Sequence, residues 1–454
     1  MDIYTKDIYV DFNYRPSTSK SKELSEAVSD LIKSSGISFN RAKLLDALCS
    51  LNVALMRAAI KGPEITAYRS MGAGSFTKEI VKFRPFSNAV NGMKALGLIE
   101  RKEGHCPIPG FGTEPKKASR FKATEKLFSL WKSYGIDPVE WDQHFEGKPR
   151  PGAITNPIIL KSEKKKAKHP RTGKPFVTPS EKMPFDSTDP LALKVGEQVN
   201  EINAFLAGQD IQPSYAFYAF QRIFSLGDSP SFKWDKGGRL YAMGGGYQQW
   251  PAEPKPGEKN YRGQITINGE PTVEIDIRAS HLTILHALKH VPMSPDDPYS
   301  GTEFPRFVVK SWVAMTLGND KRPGNQWSKT AKDAYASKQC GIRKSGRAVK
   351  QLCQSRCKAS CLQKLFPMSK VGPKIASHFP ILDDWETSPW RWADLQFIES
   401  KAIIDAAHEL ATVHGIPALP VHDSLIVPVS KKEIAAKVLS EMFEKHVGIK
   451  PVLK

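Results

Sequence analysis

Val273-Glu274-Ile275-Asp276-Ile277-Arg278-Ala279-Ser280-His281-Leu282 reads as a strand that gives way to a helix. Val273, Ile275 and Ile277 alternate with Glu274 and Asp276, the period-two signature of a strand with one buried face. Leu282, Leu285 and Leu288 then repeat at helical spacing, so Asp276 is lifted toward solvent at the strand's end. A second carboxylate stands in Pro417-Ala418-Leu419-Pro420-Val421-His422-Asp423-Ser424-Leu425-Ile426-Val427, where two apolar runs flank a short polar turn. That pattern predicts a hairpin with Asp423 at its tip. Either aspartate alone could be a helix cap or a turn residue, but two lifted carboxylates point to a divalent-metal site.

Composition narrows the class of partner. A chain of 454 residues has room for two or three domains, and its net charge of +19 favours a polyanion, because clustered Lys and Arg release counterions from a phosphate backbone. The opening Met1-Asp2-Ile3-Tyr4-Thr5-Lys6 has no apolar signal core, and no apolar run is long enough to cross a bilayer. A cytoplasmic protein with no membrane partner is expected. Six cysteines do not make a disulfide framework in a chain of this size. Cys353, Cys357 and Cys361 recur at helical spacing with Cys340 upstream, which leaves a structural zinc as an alternative to reduced thiols.

Glu23 to Leu51 carries helical signals. Phe86, Val90, Met93 and Leu96 recur at helix spacing, with Ser87 as cap and Gly97 to stop the helix. Leu98-Ile99-Glu100-Arg101-Lys102-Glu103-Gly104 and Ser119-Arg120-Phe121-Lys122-Ala123-Thr124 read as two short strands around a Gly/Pro-rich tip. This order resembles a winged helix-turn-helix domain, placed at 1–146. The resemblance implies that Asn88, Asn91 and Lys94 face a DNA groove and that Lys116, Lys117, Arg120 and Lys122 meet phosphates. A scaffold role is the bland alternative. Residues 147–184 turn to Lys, Pro, Ser and Gly and are expected to be a basic linker or extended arm.

Beyond the linker, Val195, Val199, Ile202 and Leu206 fit an amphipathic helix, and Tyr215, Tyr218, Phe220 and Phe224 crowd what reads as the next one. Gly237-Gly238-Arg239 precedes the turn Gly244-Gly245-Gly246 and then Gln248-Gln249-Trp250-Pro251, with Arg262 following. Arg306 and Lys310 are four apart, hence on one helix face. Lys321 to Lys370 is strongly cationic, Leu395 starts a long helix, and Glu433 to Val447 forms another. Ile449 to Leu453 is expected to close a sheet as an edge strand.

The two carboxylate stretches resemble motifs A and C of the palm of family A DNA polymerases and of the related single-subunit phage-type RNA polymerases. His422-Asp423-Ser424 is close to the HDE of the first and the HDS of the second. The resemblance runs from about Tyr215 to Lys454 and is nearest to compact viral, plasmid and transposon polymerases, which share a Gly-Gly-Arg run, a Glu-x-Asp followed by His, and an HDS. It implies an α+β right-hand fold of palm, fingers and small thumb over 185–454. It implies two Mg²⁺ ions, or Mn²⁺, held by Asp276, Asp423 and the Ile277 carbonyl. Arg306 and Lys310 would hold a triphosphate and His281 would face its sugar. Arg239, Gln248, Gln249, Arg262, Gln396 and His422 would meet primer and template, and Gln396 and Glu399 would sit near the palm floor. The implied partners are DNA template and primer and nucleoside triphosphates, with a helicase as a further candidate. Two departures bear on the sugar: Leu317-Gly318-Asn319 stands where a Tyr is usual, and His281 where a sugar-excluding Glu is usual. The choice between dNTPs and NTPs is therefore open. A primase-like or phage-type RNA polymerase is one alternative, and a non-catalytic replication initiator another.

Overall fold

Alternating apolar residues around Asp276 and Asp423 assemble one five-stranded sheet. In the computed structural model, which describes residues 7–37, 39–76, 79–104, 118–164, 166–168, 175–177, 180–244, 246–252, 260–340 and 362–454, its order is Ile211–Gln212, Thr266–Ile267, Glu270–Asp276, Ser424–Pro428, Leu419–Val421. Every neighbouring pair is antiparallel. The central ladder sets Thr272 opposite Pro428, Ile275 opposite Leu425 and Asp276 opposite Ser424. Ile275, Leu425 and Val427 are buried.

The helix Trp392–Thr412 packs against this sheet, the helices Ser280–Leu288 and Lys432–Val447, and the strand Gly237–Ala242. Ala402, Ala406 and Ala407 on it are buried, and side chains so small let its neighbours approach closely. The expected edge strand at Ile449–Leu453 reduces to a single bridge between Leu453 and Ile277, flanked by the Val452 carbonyl accepting from the Arg278 amide and by paired backbone bonds between Lys454 and Asp276.

A second sheet runs Lys182–Met183, Ile158–Lys161, Phe220–Phe224, Gly237–Ala242. It corrects two expectations. The basic stretch 147–184 is not only a linker, because Ile158, Ile159 and Leu160 are buried in a strand that pairs in parallel with Arg222–Phe224. A short β-branched run was hidden there by the polar composition of its flanks. Phe220 and Phe224 belong to a strand rather than a helix, preceded by the 3₁₀ turn Ser214–Ala216. Their aromatic and β-branched neighbours suit a pleated surface.

A helical lobe follows the first sheet's central strand. The helices Arg306–Gly318, Lys329–Cys340 and Met368–Ser377 gather around buried Trp312, Trp327 and Trp385, and Trp385 Nε1 donates to the Thr316 carbonyl at 3.1 Å. Much of the cationic tract, with Cys353, Cys357 and Cys361, lies outside the described residues, as does the side chain of Cys340.

In the N-terminal part, the helices Ser19–Ser34, Arg41–Ala59 and Phe83–Ala95 pack with a sheet ordered Ile8–Tyr9, Ala67–Arg69, Ser119–Ala123, Ile99–Lys102. The last helix begins at Phe83, not after Ser87, since Pro85 is tolerated in a first turn. While Ile158, Leu160, Ala192, Phe224 and Trp234 form a separate cluster, the core of this N-terminal part is continuous with that around the five-stranded sheet. A chain of ring contacts joins them, with Tyr14–Trp141 centroids at 5.7 Å, Trp141–Tyr215 at 5.0 Å and Tyr215–Trp250 at 6.2 Å. Among the described residues no helix is long and apolar enough to cross a membrane.

Candidate active site

Asp276 ends its strand directly opposite Ser424, and Asp423 is the residue before. The hairpin turn is only His422-Asp423, with His422 at φ 54° in the left-handed region, as a two-residue turn requires. The Ile277 amide donates to the Asp423 carbonyl at 3.0 Å, which seats the turn against the bend after Asp276. Ala279, at φ 53°, completes that bend and starts the helix carrying His281. The register thus delivers both aspartates to the same end of two neighbouring inner strands.

Their electrostatics record the crowding. Burial first, then the charges of Glu399 and Asp276, push the Asp423 carboxyl up to about 7. Lys454 Nζ donates to Asp276 Oδ2 at 2.9 Å, giving one local cation to this cluster. Glu274, two residues before Asp276, accepts from Arg262 Nη2 at 2.7 Å and from Ser424 Oγ at 2.5 Å, so it staples the two aspartate-bearing strands together.

Glu399, in the middle of the helix Trp392–Thr412, is the residue that ties the site's floor. It is 1% exposed. Its Oε1 accepts from Arg239 Nε at 3.0 Å and also from Arg239 Nη2, while its Oε2 lies 3.3 Å from His281 Nε2. Burial pushes the Glu399 carboxyl up, but Arg239 and then His281 outweigh it and hold it far below the usual range. Arg239 is aimed by Gly237 and Gly238, at φ 76° and 75°. A Cβ on Gly238 would stand 3.1 Å from the Phe224 ring, so this turn favours glycine twice over. The sequence did carry a signal for Glu399: Leu395, Ile403 and Leu410 share its face, and an acid in that apolar row is out of place.

The other expected residues divide. His422 keeps part of its surface accessible, yet the surrounding protein and then Arg239 push its imidazole down to about 4. Its ring lies 6.3 Å from that of Tyr241. Gln396 is half-buried and Gln249 exposed. Gln248 is not a free groove reader: its amide donates to the Leu240 and Pro420 carbonyls at 3.2 and 2.8 Å and accepts from the Ala242 amide at 2.9 Å. Arg262, engaged by Glu274 and by the Trp250 carbonyl at 3.3 Å, is likewise spent on internal bracing.

Arg306 and Lys310 are exposed on the first turns of their helix, as the spacing predicts. Arg306 pairs with Asp297 and sits 5.5 Å over the Tyr299 ring. Burial pushes the Tyr299 hydroxyl up to about 12, with Arg306 opposing and Asp297 and Asp423 adding to it, so this tyrosine feels both Arg306 and Asp423.

In the N-terminal part, Lys94 and Lys122 are exposed and Asn88 is half-buried. Asn91 accepts from Arg101 at 3.1 Å, and Arg120 Nε is bonded to Asp7 at 2.8 Å, so Arg120 is engaged internally. Lys116 and Lys117 lie outside the described residues.

Among the described residues, no three or more His, Cys, Asp and Glu side chains gather as a metal cage. The two carboxylates still suit a hard cation, since the repulsion felt by Asp423 is what a divalent ion would relieve.

No protein-family model matches the chain, and no curated protein matches it. Among solved structures it is similar to the POL domain of Pol1 from M. smegmatis in complex with DNA primer-template and dNTP. The match has 11% identity and a TM-score of 0.26, and covers 100% of this chain and 67% of that one. A likeness of that size adds nothing to the site's geometry.

Proposed function

We propose that the chain is a template-directed nucleotidyltransferase, a DNA-directed DNA polymerase of a phage, plasmid or other mobile element that extends a primer. The observation that carries this reading is the register that puts Asp276 opposite Ser424 and binds Ile277 to Asp423, so two acids distant in sequence converge at the same end of two inner strands. Asp276 and Asp423, with the Ile277 carbonyl, would hold Mg²⁺. When bound, the ions supply charge neutralisation at the attacking and leaving oxygens of an in-line displacement. Arg306 offers its planar fork, and Lys310 a point charge, to the triphosphate. His281 faces the sugar, while Arg239, Gln249, Gln396 and His422 line the path of primer and template.

On this reading residues 1–146 are a DNA-binding unit, which presents Asn91, Lys94 and Lys122, and 185–454 are the polymerase. An RNA polymerase or primase is the second reading, supported by His281 in place of a glutamate at the sugar position. Incubation with primed template, Mg²⁺ and either dNTPs or NTPs separates the two. Extension by the wild type that disappears in Asp423→Asn supports the proposal, and extension that persists in the variant sinks it.

A further inference from the structure

Resting on that reading, we infer that Lys454 is a built-in counter-ion for the metal site: its ammonium occupies the face of Asp276 that a divalent ion needs, so the ion enters by displacing it. The contact is fixed by backbone register rather than by a chance rotamer. The Lys454 amide donates to the Asp276 carbonyl at 3.0 Å, and the Asp276 amide donates to the Lys454 carbonyl at 3.2 Å. Two residues that exchange both backbone bonds stand directly opposite in an antiparallel ladder, and their side chains leave the same face. The Leu453–Ile277 bridge and the bond from the Arg278 amide to the Val452 carbonyl at 2.9 Å extend the same register. Lys454 Nζ accordingly reaches Asp276 Oδ2 at 2.9 Å.

The neighbouring cations are committed elsewhere. Arg262 is taken by Glu274 at 2.7 Å and Arg278 by the Pro295 carbonyl, and among the described residues Lys454 alone donates to the Asp276 carboxylate. One ammonium is an incomplete answer to this site. It brings a single charge to a single carboxylate, while burial, Glu399 and Asp276 still push the Asp423 carboxyl up beside it. A divalent ion brings two charges and takes several oxygens at once, so it wins where it bridges both aspartates. Both members of the ion pair are partly exposed, which lets the lysine swing into solvent as the ion arrives.

The test is direct binding of Mn²⁺ without nucleotide or DNA, read from the loss of the free-ion electron paramagnetic resonance signal, with the binding lost in Asp276→Asn taken as the candidate site. Lys454→Met, which keeps the stem and removes the charge, is expected to lower the Mn²⁺ dissociation constant about two- to fivefold, the range open to one screened ion pair. Lys454→Arg should bind as the wild type does, and about 1 M KCl should erase the difference between wild type and Lys454→Met, because salt screens exposed charges. Displacement itself is read by NMR. The Lys454 side-chain resonance, assigned by its loss in Lys454→Met, should move during a Mg²⁺ titration with the midpoint of ion binding and stay still in Asp276→Asn. An unchanged or weaker Mn²⁺ affinity in Lys454→Met, or a wild-type resonance that stays still while the ion binds, overturns the inference and leaves the polymerase reading standing. Mn²⁺ binding by neither protein overturns it as well, and primer extension that survives Asp423→Asn removes the polymerase reading and this inference with it.

Discussion

Two buried acids, Asp11 in the N-terminal part and Glu399 beneath the site, are almost equally withdrawn from water, at 5% and 1% exposure. They nevertheless sit on opposite sides of their ordinary ionisation. Burial pushes Asp11 up to about 6 despite Arg57 and Arg69, because Arg57 reaches it only at 3.4 Å and its Oδ1 has no partner. Glu399 is held far down by an arginine that grips one oxygen twice and a histidine on the other. Depth alone does not decide a carboxyl's charge; the directed donors around it do.

Mutations can break this contrast. The largest effect is expected at Asp423, whose charge the Glu399 cluster opposes: Asp423→Asn should lower primer extension by at least about a thousandfold, the scale of removing a central electrostatic group. The same change should not lower the melting temperature, since it removes a charge that burial, Glu399 and Asp276 all disfavour. A differential scan beside the extension assay reads both.

Glu399→Ala should cost about 3–5 kcal/mol in urea unfolding, because it strands Arg239 beneath the site. Asp11→Asn should change stability far less, because it removes a charge that burial disfavours and gives up only the 3.4 Å contact with Arg57. The two acids should also differ in the sign of their pH dependence. Asp11 binds its proton more tightly folded than unfolded, so its contribution to stability declines as pH rises from 3.8 toward 6. Glu399 binds its proton less tightly folded, so its contribution is present above 4.5 and declines as pH falls below that value. Stability measured across this window should lose its downward component in Asp11→Asn and its acid sensitivity in Glu399→Gln.

The smallest effect is expected at Lys454→Ala. Its pair with Asp276 is 49% and 34% exposed on the two side chains, and solvent screening leaves less than about 1 kcal/mol. A larger loss of stability would show that the chain's last residues brace the site more firmly than an exposed ion pair can.

What could be read in the residues follows the range of the forces. The strand before Asp276, the turn at Asp423 and the helix carrying Arg306 and Lys310 are set by period and turn length over fewer than a dozen positions, and they stand where those patterns put them. Arg239 was marked by two glycines, whose left-handed conformations the fold uses. The engagement of Gln248 by Pro420, of Arg262 by Glu274 and of Arg120 by Asp7 depends on partners from other elements, and no local pattern encodes it. The strand Ile158–Lys161 was missed for the same reason, since its parallel partner lies beyond an intervening helix.

The hairpin between Val421 and Ser424 contains two residues and no more. Because side chains alternate across a sheet, lengthening or shortening the chain by one residue just after the turn would send every following side chain to the opposite face. An insertion and deletion scan should therefore find this tract the least forgiving in the protein, while the exposed 3₁₀ corner at Val429–Lys431 just beyond it tolerates changes of length.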